Sequence, residues 1–148
     1  MADLDHPTDP PGQWQRDHLR RYVHSRGADG HLWNGVPTLL LTTIGRRSGT
    51  AHRTPLIYGR HGEEFLIVAS KGGSDTHPQW YLNLTANPHV RLMVADEEFD
   101  ATARTATPAE KAERWPVMTA IWPDYDQYQA STTRDIPVVI LTRGHDAT

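Results

Sequence analysis

The chain has 148 residues, a formal net charge of −3 and 37% hydrophobic residues, which is enough to bury the core of one globular domain. A net negative chain is a poor partner for nucleic acid. Cysteine is absent, so disulfides, thiolate nucleophiles and zinc–thiolate sites are excluded. No stretch approaches the roughly 20 apolar residues of a membrane span, and we expect a cytoplasmic protein.

The N-terminal region predicts a flexible lead followed by one helix. Residues 1–12 hold three prolines among acidic and small residues and offer little apolar surface to pack. From Trp14 to about residue 26, apolar residues recur at helical spacing. We expect this helix to pack on the domain, although a basic amphipathic helix can also lie on a membrane surface. One domain is predicted over residues 13–143, with 144–148 as a tail.

Strands dominate the rest of the chain. Six short apolar runs bounded by turn residues predict strands at 37–44, 53–58, 64–69, 89–94, 98–104 and 136–142. Phe99, Ala101 and Ala103 alternate with polar residues, which gives that strand one buried and one solvated face. Short connections at 61–63 and 95–97 favour hairpins. The pattern predicts a mainly β fold with flanking helices, built as an antiparallel barrel.

Two helices are predicted to interrupt the strands. The first has Asp75 or Thr76 as its N-cap. The second begins at Thr107, whose spacing from Glu110 matches a capping box. An aromatic segment at 122–128 follows the second helix, and its two tyrosines lie among aspartates, which favours exposure of both rings.

A basic turn lies between the first two strands. Gly45 and Gly49 bracket Arg46, Arg47 and Ser48, so the turn can adopt positive φ angles and direct N–H groups at a ligand. Arginine adds planar pairs of donors that fit phosphate or carboxylate. The turn therefore predicts a site for a phosphorylated small molecule. The alternative is a set of solvated surface arginines.

A second candidate loop follows the third strand. This strand ends in Ser70, Lys71, Gly72 and Gly73, and a lysine beside two glycines at a strand end is typical of a functional loop. The common nucleophile, nucleotide-binding and metalloprotease motifs are missing from the sequence. The nine histidines lack the paired spacing of metal ligands, so we expect no metal site.

Several segments occur in an order that identifies a family. They are LLLTTIGRRSG at 39–49, RTPL at 53–56, ASKGG at 69–73, HPxWYxNLxANP at 77–88, and YDQYQ followed by RDIPVV between 125 and 139. Together they resemble the deazaflavin-dependent nitroreductase family, including reductases that use coenzyme F-420 to reduce quinones. The resemblance implies a split β-barrel of the flavin-reductase and pyridoxamine-oxidase type. It also implies hydride transfer from reduced coenzyme F-420 to a quinone or a nitroaromatic compound.

The resemblance further implies the roles of individual residues. The residues that would bind the cofactor lie in the basic turn, in the strand after it, in the loop at 70–73, which we call the lysine loop, and in one helix. They are Arg46, Arg47, Ser48, Gly49, Arg53, Pro55, Ser70, Lys71, Gly72, Gly73 and Trp80. The implied catalytic residues are Tyr125 and Tyr128, on the acceptor side, and Ser70, beside the ring. Arg47 occupies a position where the family often has lysine, so a planar guanidinium group replaces a compact ammonium group.

Two other functions would use the same residues. An FMN-dependent split-barrel oxidoreductase also needs the basic turn, and a non-enzymatic deazaflavin carrier would bind the cofactor without oxidising it. For Trp80 and the two tyrosines, the alternative role is packing of the core. The expected partner is a small-molecule acceptor, and the chain is expected to act as a monomer or a homodimer.

Overall fold

The structure is a computed structural model, and it describes residue 7 and residues 12–33 and 35–144. Most of the predicted lead and nearly all of the predicted tail lie outside the described residues. Within them, the helices are α1 (Gln13–His24), α2 (Gln79–Ala86), α3 (Pro108–Ile121) and α4 (Asp124–Ala130). The strands are β1 (Leu32–Trp33), β2 (Val36–Ile44), β3 (Ala51–Ile57), β4 (Gly59–His61), β5 (Glu64–Val68), β6 (His89–Val94), β7 (Glu97–Thr105) and β8 (Val138–Arg143).

The strands form one curled antiparallel sheet, which confirms the predicted antiparallel architecture. Their order is β1-β2-β6-β7-β8-β5-β4, and β3 pairs with β2 outside this path. All six predicted strands are present, and both predicted hairpins are confirmed, since His61 pairs with Glu64 and Val94 with Glu97. The sequence does not predict β1 and β4, because runs of two and three residues are too short to show alternation.

Alternate residues of the strands fill the interior of the half-barrel. These inward residues include Leu39 and Leu41 of β2, Phe65 and Ile67 of β5, and Val139 and Leu141 of β8. The predicted buried face of β7 is confirmed, since Ala101 is 0% and Ala103 4% exposed. The outward face of this strand is partly or fully solvated.

The outer faces of three strands are also buried, and this places the helices. Leu40 of β2 packs against Leu19 and Tyr22 of α1. The outward residues of β5 and β8 pack under α3 and α4 in another cluster, formed by Leu66, Val68, Met118, Tyr125, Ile136, Val138 and Ile140. Burial on both faces explains why these strands are continuous apolar runs rather than alternating ones.

Helix α1 is fixed on the sheet by its one buried tyrosine. The Tyr22 hydroxyl donates to the carbonyl oxygen of Thr38 at 2.9 Å and accepts from the amide of Ala95 at 2.7 Å. Burial raises the pKa of Tyr22 to about 12, so the hydroxyl stays protonated. This anchor confirms the predicted packing role of the helix. None of the helices in the described part of the chain is long and apolar enough to cross a membrane.

The two predicted N-caps have different outcomes. The capping box of α3 is confirmed, because the Thr107 hydroxyl accepts from the Glu110 amide and the Glu110 carboxylate accepts from the Thr107 amide. The predicted cap of α2 is wrong: Pro78 is the N-cap, and no side chain bonds there. Asp75 and Thr76 are engaged elsewhere, since they accept hydrogen bonds from Thr132 and Lys71.

Candidate functional site

The first of two adjacent cavities lies over the basic turn. It has a volume of about 390 Å³ and is lined by Gly45, Arg46, Arg47, Ser48, His52, Gln79 and Asn83. We call it the anion cavity, because this lining contains no carboxylate although the chain is net negative. The three predicted residues Arg46, Arg47 and Ser48 are therefore brought together as expected.

The two glycines of the turn do different things. Gly49 has φ +71°, a conformation that side chains disfavour, so the predicted positive φ is confirmed there. Gly45 is not in that region, and the prediction of positive φ is wrong for it. A Cβ at Gly45 would lie 2.5 Å from Ser48 Oγ and 2.9 Å from His52 Nε2, so a larger residue would displace these two side chains. The Gly45 amide donates to the Thr50 carbonyl at 2.7 Å, which closes the turn.

Asn83 of α2 holds the first arginine of the turn. Its Oδ1 accepts from the backbone amide of Arg46 at 3.2 Å and from the Arg46 guanidinium at 2.9 Å. Asn83 is buried, so the amide is a fixed part of the cavity wall. Asn83 is not among the predicted site residues, although an asparagine among the apolar residues of a short helix is a usable signal.

Hydroxyl groups and a histidine form the outer rim of the anion cavity. Ser48 Oγ lies 2.8 Å from Thr50 Oγ1, and His52 Nε2 lies 3.2 Å from the same Thr50 oxygen. His52 was not among the predicted site residues. Arg53, the next residue on β3, lines neither of the two cavities, so its predicted role in binding stays a prediction.

The second cavity has a volume of about 330 Å³, and its walls include six tryptophan and tyrosine rings. We call it the aromatic cavity. Its rings are those of Trp14, Trp33, Trp80, Trp122, Tyr125 and Tyr128. Its polar residues are His18, Thr38, Ser70 and Lys71, and the rest of its lining includes Pro55 and Gly72. The structure thus brings together seven predicted residues that are far apart in sequence.

Arg134 fixes the loop that carries Ser70 and Lys71. Its guanidinium donates to three backbone carbonyls, those of Ala69 at 3.0 Å, Ser70 at 2.9 Å and Ser74 at 2.9 Å. The same group lies 2.8 Å from His77 Nδ1. Burial and the charge of Arg134 lower the pKa of His77, which keeps the imidazole neutral and able to accept. The loop therefore has a defined shape before any ligand binds.

The lysine loop packs directly against α4. A Cβ at Gly73 would lie 2.2 Å from Ser131 Oγ and 2.9 Å from the carbonyl oxygen of Tyr128. The Ser131 hydroxyl also donates to the Gly73 carbonyl at 3.3 Å. Lys71, with φ +45°, donates to Thr76 Oγ1 at 3.1 Å. Gly73 does not line the aromatic cavity; it sets the contact between the loop and the helix.

The two predicted tyrosines share a face of α4, with ring centroids 6.1 Å apart. The expected exposure of both rings is wrong: Tyr125 is 5% exposed and Tyr128 is partly buried. Burial, with a smaller contribution from Tyr128, raises the pKa of Tyr125, so this phenol can donate a hydrogen bond but stays un-ionised. The Tyr128 hydroxyl accepts from Trp122 Nε1 at 3.4 Å.

The two cavities share no lining residue, but sequence neighbours at the start of α2 line both of them. Gln79 lines the anion cavity, whereas its neighbours Pro78 and Trp80 line the aromatic cavity. Strand β3 also contributes to both cavities, since His52 lines the anion cavity and Pro55 lines the aromatic cavity. The two cavities are therefore neighbours that are built on the same two elements. The described residues hold no group of three or more histidines and carboxylates that could bind a metal.

Three comparisons with known proteins agree with this geometry. The profile of the family described as F420H(2)-dependent quinone reductase matches residues 14–143. An F420H(2)-dependent quinone reductase of Mycobacterium tuberculosis is 41% identical over 135 residues, which cover 88% of this chain and 91% of the relative. A solved F420-H2 dependent reductase is 39% identical with a TM-score of 0.66, over 71% of this chain and 93% of its own.

A more distant structure shows how widely the fold is shared. An FAD-binding protein of Mesorhizobium loti is 13% identical, with a TM-score of 0.53 over 73% of this chain and 79% of its own. At that identity the likeness concerns the fold alone. Together with the closer structure, it confirms the split β-barrel that the sequence resemblance implies.

Proposed function

The chain belongs to the family of F420H(2)-dependent quinone reductases, and from that premise we propose that it reduces a quinone with a hydride from coenzyme F-420. The observation that carries the proposal is that residues 78–80 contribute to both an anion cavity and an aromatic cavity. An anion cavity alone would fit any phosphate, and an aromatic cavity alone would fit any flat ring. A cofactor that has both an anionic part and a flat ring would use the two neighbouring cavities together.

The anion cavity suits the phosphate and the acidic tail of coenzyme F-420. Arg46, Arg47, Ser48 and the backbone at Gly49 are its proposed ligands, since guanidinium and amide donors bind phosphate strongly. Asn83 orients Arg46, so less side-chain freedom is lost on binding. Arg53, on β3 between the two cavities, is proposed to contact the part of the cofactor that joins them.

The aromatic cavity suits the deazaflavin ring, which supplies the hydride when it is bound. We propose that Trp80 and Pro55 contact the faces of the ring and that residues 70–73 border its polar edge. Lys71 places a positive charge there. The 69–74 loop is held in shape by Arg134, so the protein aligns the ring without reorganising as the reaction proceeds.

The acceptor is proposed to bind on the side of α4. There the phenols of Tyr125 and Tyr128 can stack on a flat ring and donate a hydrogen bond to an oxygen that gains negative charge. Such a bond is stronger in the transition state than in the ground state, which is the requirement for catalysis. A nitroaromatic acceptor presents a similar flat ring and similar oxygens, so we include it as a second class of substrate.

Anaerobic mixing tests the proposal. The protein is mixed with reduced coenzyme F-420 and a panel of quinones and nitro compounds, and the absorbance of the oxidised cofactor is followed. We expect oxidation that depends on both protein and acceptor. Tight binding without oxidation by any acceptor would show a carrier instead. Faster turnover with reduced FMN than with reduced coenzyme F-420 would show the flavin-dependent alternative.

A further inference from the structure

A glutamine that lines neither cavity connects the two walls of the aromatic cavity. Gln129 follows Tyr128 on α4 and is partly buried. Its side-chain nitrogen Nε2 donates to the carbonyl oxygen of Arg134 at 2.8 Å. Its oxygen Oε1 accepts from the amide of Ile136 at 3.0 Å and from Lys111 Nζ at 2.9 Å. One side chain thus joins α4, α3 and the segment before β8.

These partners allow only one orientation of the Gln129 amide. A backbone N–H and an ammonium group can only donate, so the atom that faces Ile136 and Lys111 is the oxygen. The carbonyl oxygen of Arg134 can only accept, so the atom that faces it is the nitrogen. Neither an apolar side chain nor a carboxylate can make all of these bonds. The position therefore requires an uncharged amide.

The bonds of Gln129 tie α4 to the residue that shapes the lysine loop. The guanidinium of Arg134 donates to the carbonyls of Ala69 and Ser70, and the backbone carbonyl of Arg134 accepts from Gln129. Successive residues of a helix point about 100° apart, so Gln129 can bind this segment while Tyr128 lines the cavity. The two walls of the aromatic cavity are therefore connected through Arg134.

The other contacts of α4 fix different features of its placement. The close approach at Gly73 sets the distance between the helix and the loop, and Tyr125 anchors the first turn in the buried cluster under α3 and α4. Rotation of the last turn about the helix axis is opposed by Gln129, which bonds two backbone groups of one neighbouring segment. Tyr128 depends on this rotation, because its hydroxyl makes one long bond to the described residues, at 3.4 Å from Trp122 Nε1.

We propose that Gln129 is a positioning residue for the reaction: it fixes the rotation of α4 and thereby the place of the Tyr128 hydroxyl relative to the lysine loop. A donor that is displaced by about 1 Å from the oxygen that gains charge loses much of its effect on the rate. Gln129 touches neither cavity and acts only through Tyr128. Its effect on turnover rests on the proposed function, whereas the placement of Tyr128 does not.

Fluorine NMR of the protein labelled with 3-fluorotyrosine measures the placement without cofactor or substrate. The signal of Tyr128 is identified by its absence in Tyr128→Phe. Gln129→Met keeps the length of the side chain and loses its hydrogen bonds, so the Tyr128 signal should move or broaden. Gln127→Met makes the same change at the exposed residue on the other side of Tyr128, and the signal should stay in place. An unchanged Tyr128 signal in Gln129→Met would overturn the proposal.

A second variant changes a single bond and keeps the size of the side chain. Gln129→Glu can still accept from Ile136 and Lys111, but it places an oxygen against the carbonyl oxygen of Arg134 in place of a donor. Because the buried amide of Ile136 keeps its partner, this variant should fold even if Gln129→Met does not. The Tyr128 signal should move in this variant too, and an unchanged signal would again overturn the proposal.

Kinetics with reduced coenzyme F-420 and a quinone test whether the placement matters for the reaction. Gln129→Met should lower kcat about tenfold and leave the affinity for the cofactor unchanged. A combination of Gln129→Met with Tyr128→Phe should be no slower than Gln129→Met alone, because the hydroxyl that is removed was already misplaced. Thr107→Ala removes the N-cap of α3 and should lower stability without changing kcat.

The kinetic outcomes separate a positioning role from a merely structural one. Wild-type kcat in Gln129→Met, or losses that multiply in the double variant, would overturn the proposal that Gln129 acts through Tyr128. An equal loss of kcat in Thr107→Ala would do the same, since any destabilised variant would then be slow. Failure of the wild-type protein to reduce any quinone would instead count against the proposed function, and the fluorine signals would still decide the placement of Tyr128.

Discussion

The two cavities are built in opposite ways. The anion cavity takes five of its seven lining residues from positions 45–52, so a few consecutive residues create its charge and shape. The aromatic cavity takes its lining from α1, β1, β3, the end of β5, the start of α2, and α4. The first is therefore largely a local structure, in which only Gln79 and Asn83 come from a distant segment. The second exists only when distant segments are held together.

The largest effect on stability is expected when the contacts between Arg134 and the loop at 69–77 are removed. Arg134→Ala removes every bond between the 69–77 loop and the guanidinium and should lower the free energy of unfolding by about 3 kcal/mol. The KM for quinone should also rise. Urea unfolding and steady-state kinetics measure the two effects. Arg20→Ala, at an exposed arginine of α1, is the control and should change stability by less than about 0.5 kcal/mol.

An equal unfolding free energy in Arg134→Ala and the wild-type protein would show that the loop does not depend on this residue. Arg134→Lys sharpens the comparison, because it keeps the charge and loses the planar fork. Its stability should lie between those of the wild-type protein and the alanine variant.

The next largest effect is expected on cofactor binding in the anion cavity. Arg46→Ala should weaken binding of coenzyme F-420 by about 10- to 150-fold, the loss expected for one charged hydrogen bond of roughly 1.5–3 kcal/mol. The fold and the aromatic cavity should be unchanged. Fluorescence titration at several salt concentrations measures the affinity, and the variant should depend less on salt than the wild-type protein.

Arg53→Ala is the comparison variant. Arg53 lines neither cavity, so this change should weaken binding of coenzyme F-420 less than Arg46→Ala does. If Arg46→Ala binds the cofactor as tightly as the wild-type protein does, the assignment of the basic turn to phosphate binding is wrong.

These contrasts also show what the sequence could predict. The position of the turn at 45–49, the capping box at Thr107 and the two hairpins depend on neighbours in the chain, and the residue types there are sufficient to predict them, apart from the φ of Gly45. The cap of α2 and the burial of Tyr125 were predicted wrongly, because they depend on distant partners. Thr132 binds Asp75, and the outer face of β5 and β8 covers Tyr125.

A smaller effect is expected at Tyr128, where a substitution should change turnover but not cofactor binding. Tyr128→Phe removes only a hydroxyl and should lower kcat with quinone about tenfold, which corresponds to roughly 1.4 kcal/mol of transition-state stabilisation. Binding of coenzyme F-420 should be nearly unchanged. Stopped-flow oxidation of the bound reduced cofactor at saturating quinone is the measurement. Full activity in this variant, with lost stability in Tyr128→Ala, would mean that the ring only closes the cavity.

The smallest effect is expected at the lysine on the edge of the aromatic cavity. Lys71→Met keeps most of the side-chain length and removes the charge, so kcat/KM should fall by about three- to fivefold, as for an exposed ionic contact. The unfolding free energy should stay the same, because the side chain is exposed and bonds only to Thr76 among the described residues. Wild-type kinetics in this variant would make Lys71 an ordinary surface residue.

The contact at Gly73 has a consequence for how the aromatic cavity can change its width. Because no side chain fits between this residue and α4, the backbone of the lysine loop and the helix with the two tyrosines touch without a spacer. The gap between Lys71 and Tyr128 is thus fixed by two main chains rather than by adjustable side chains. Any side chain added at Gly73 would therefore push the loop away from α4 and change the width of the aromatic cavity.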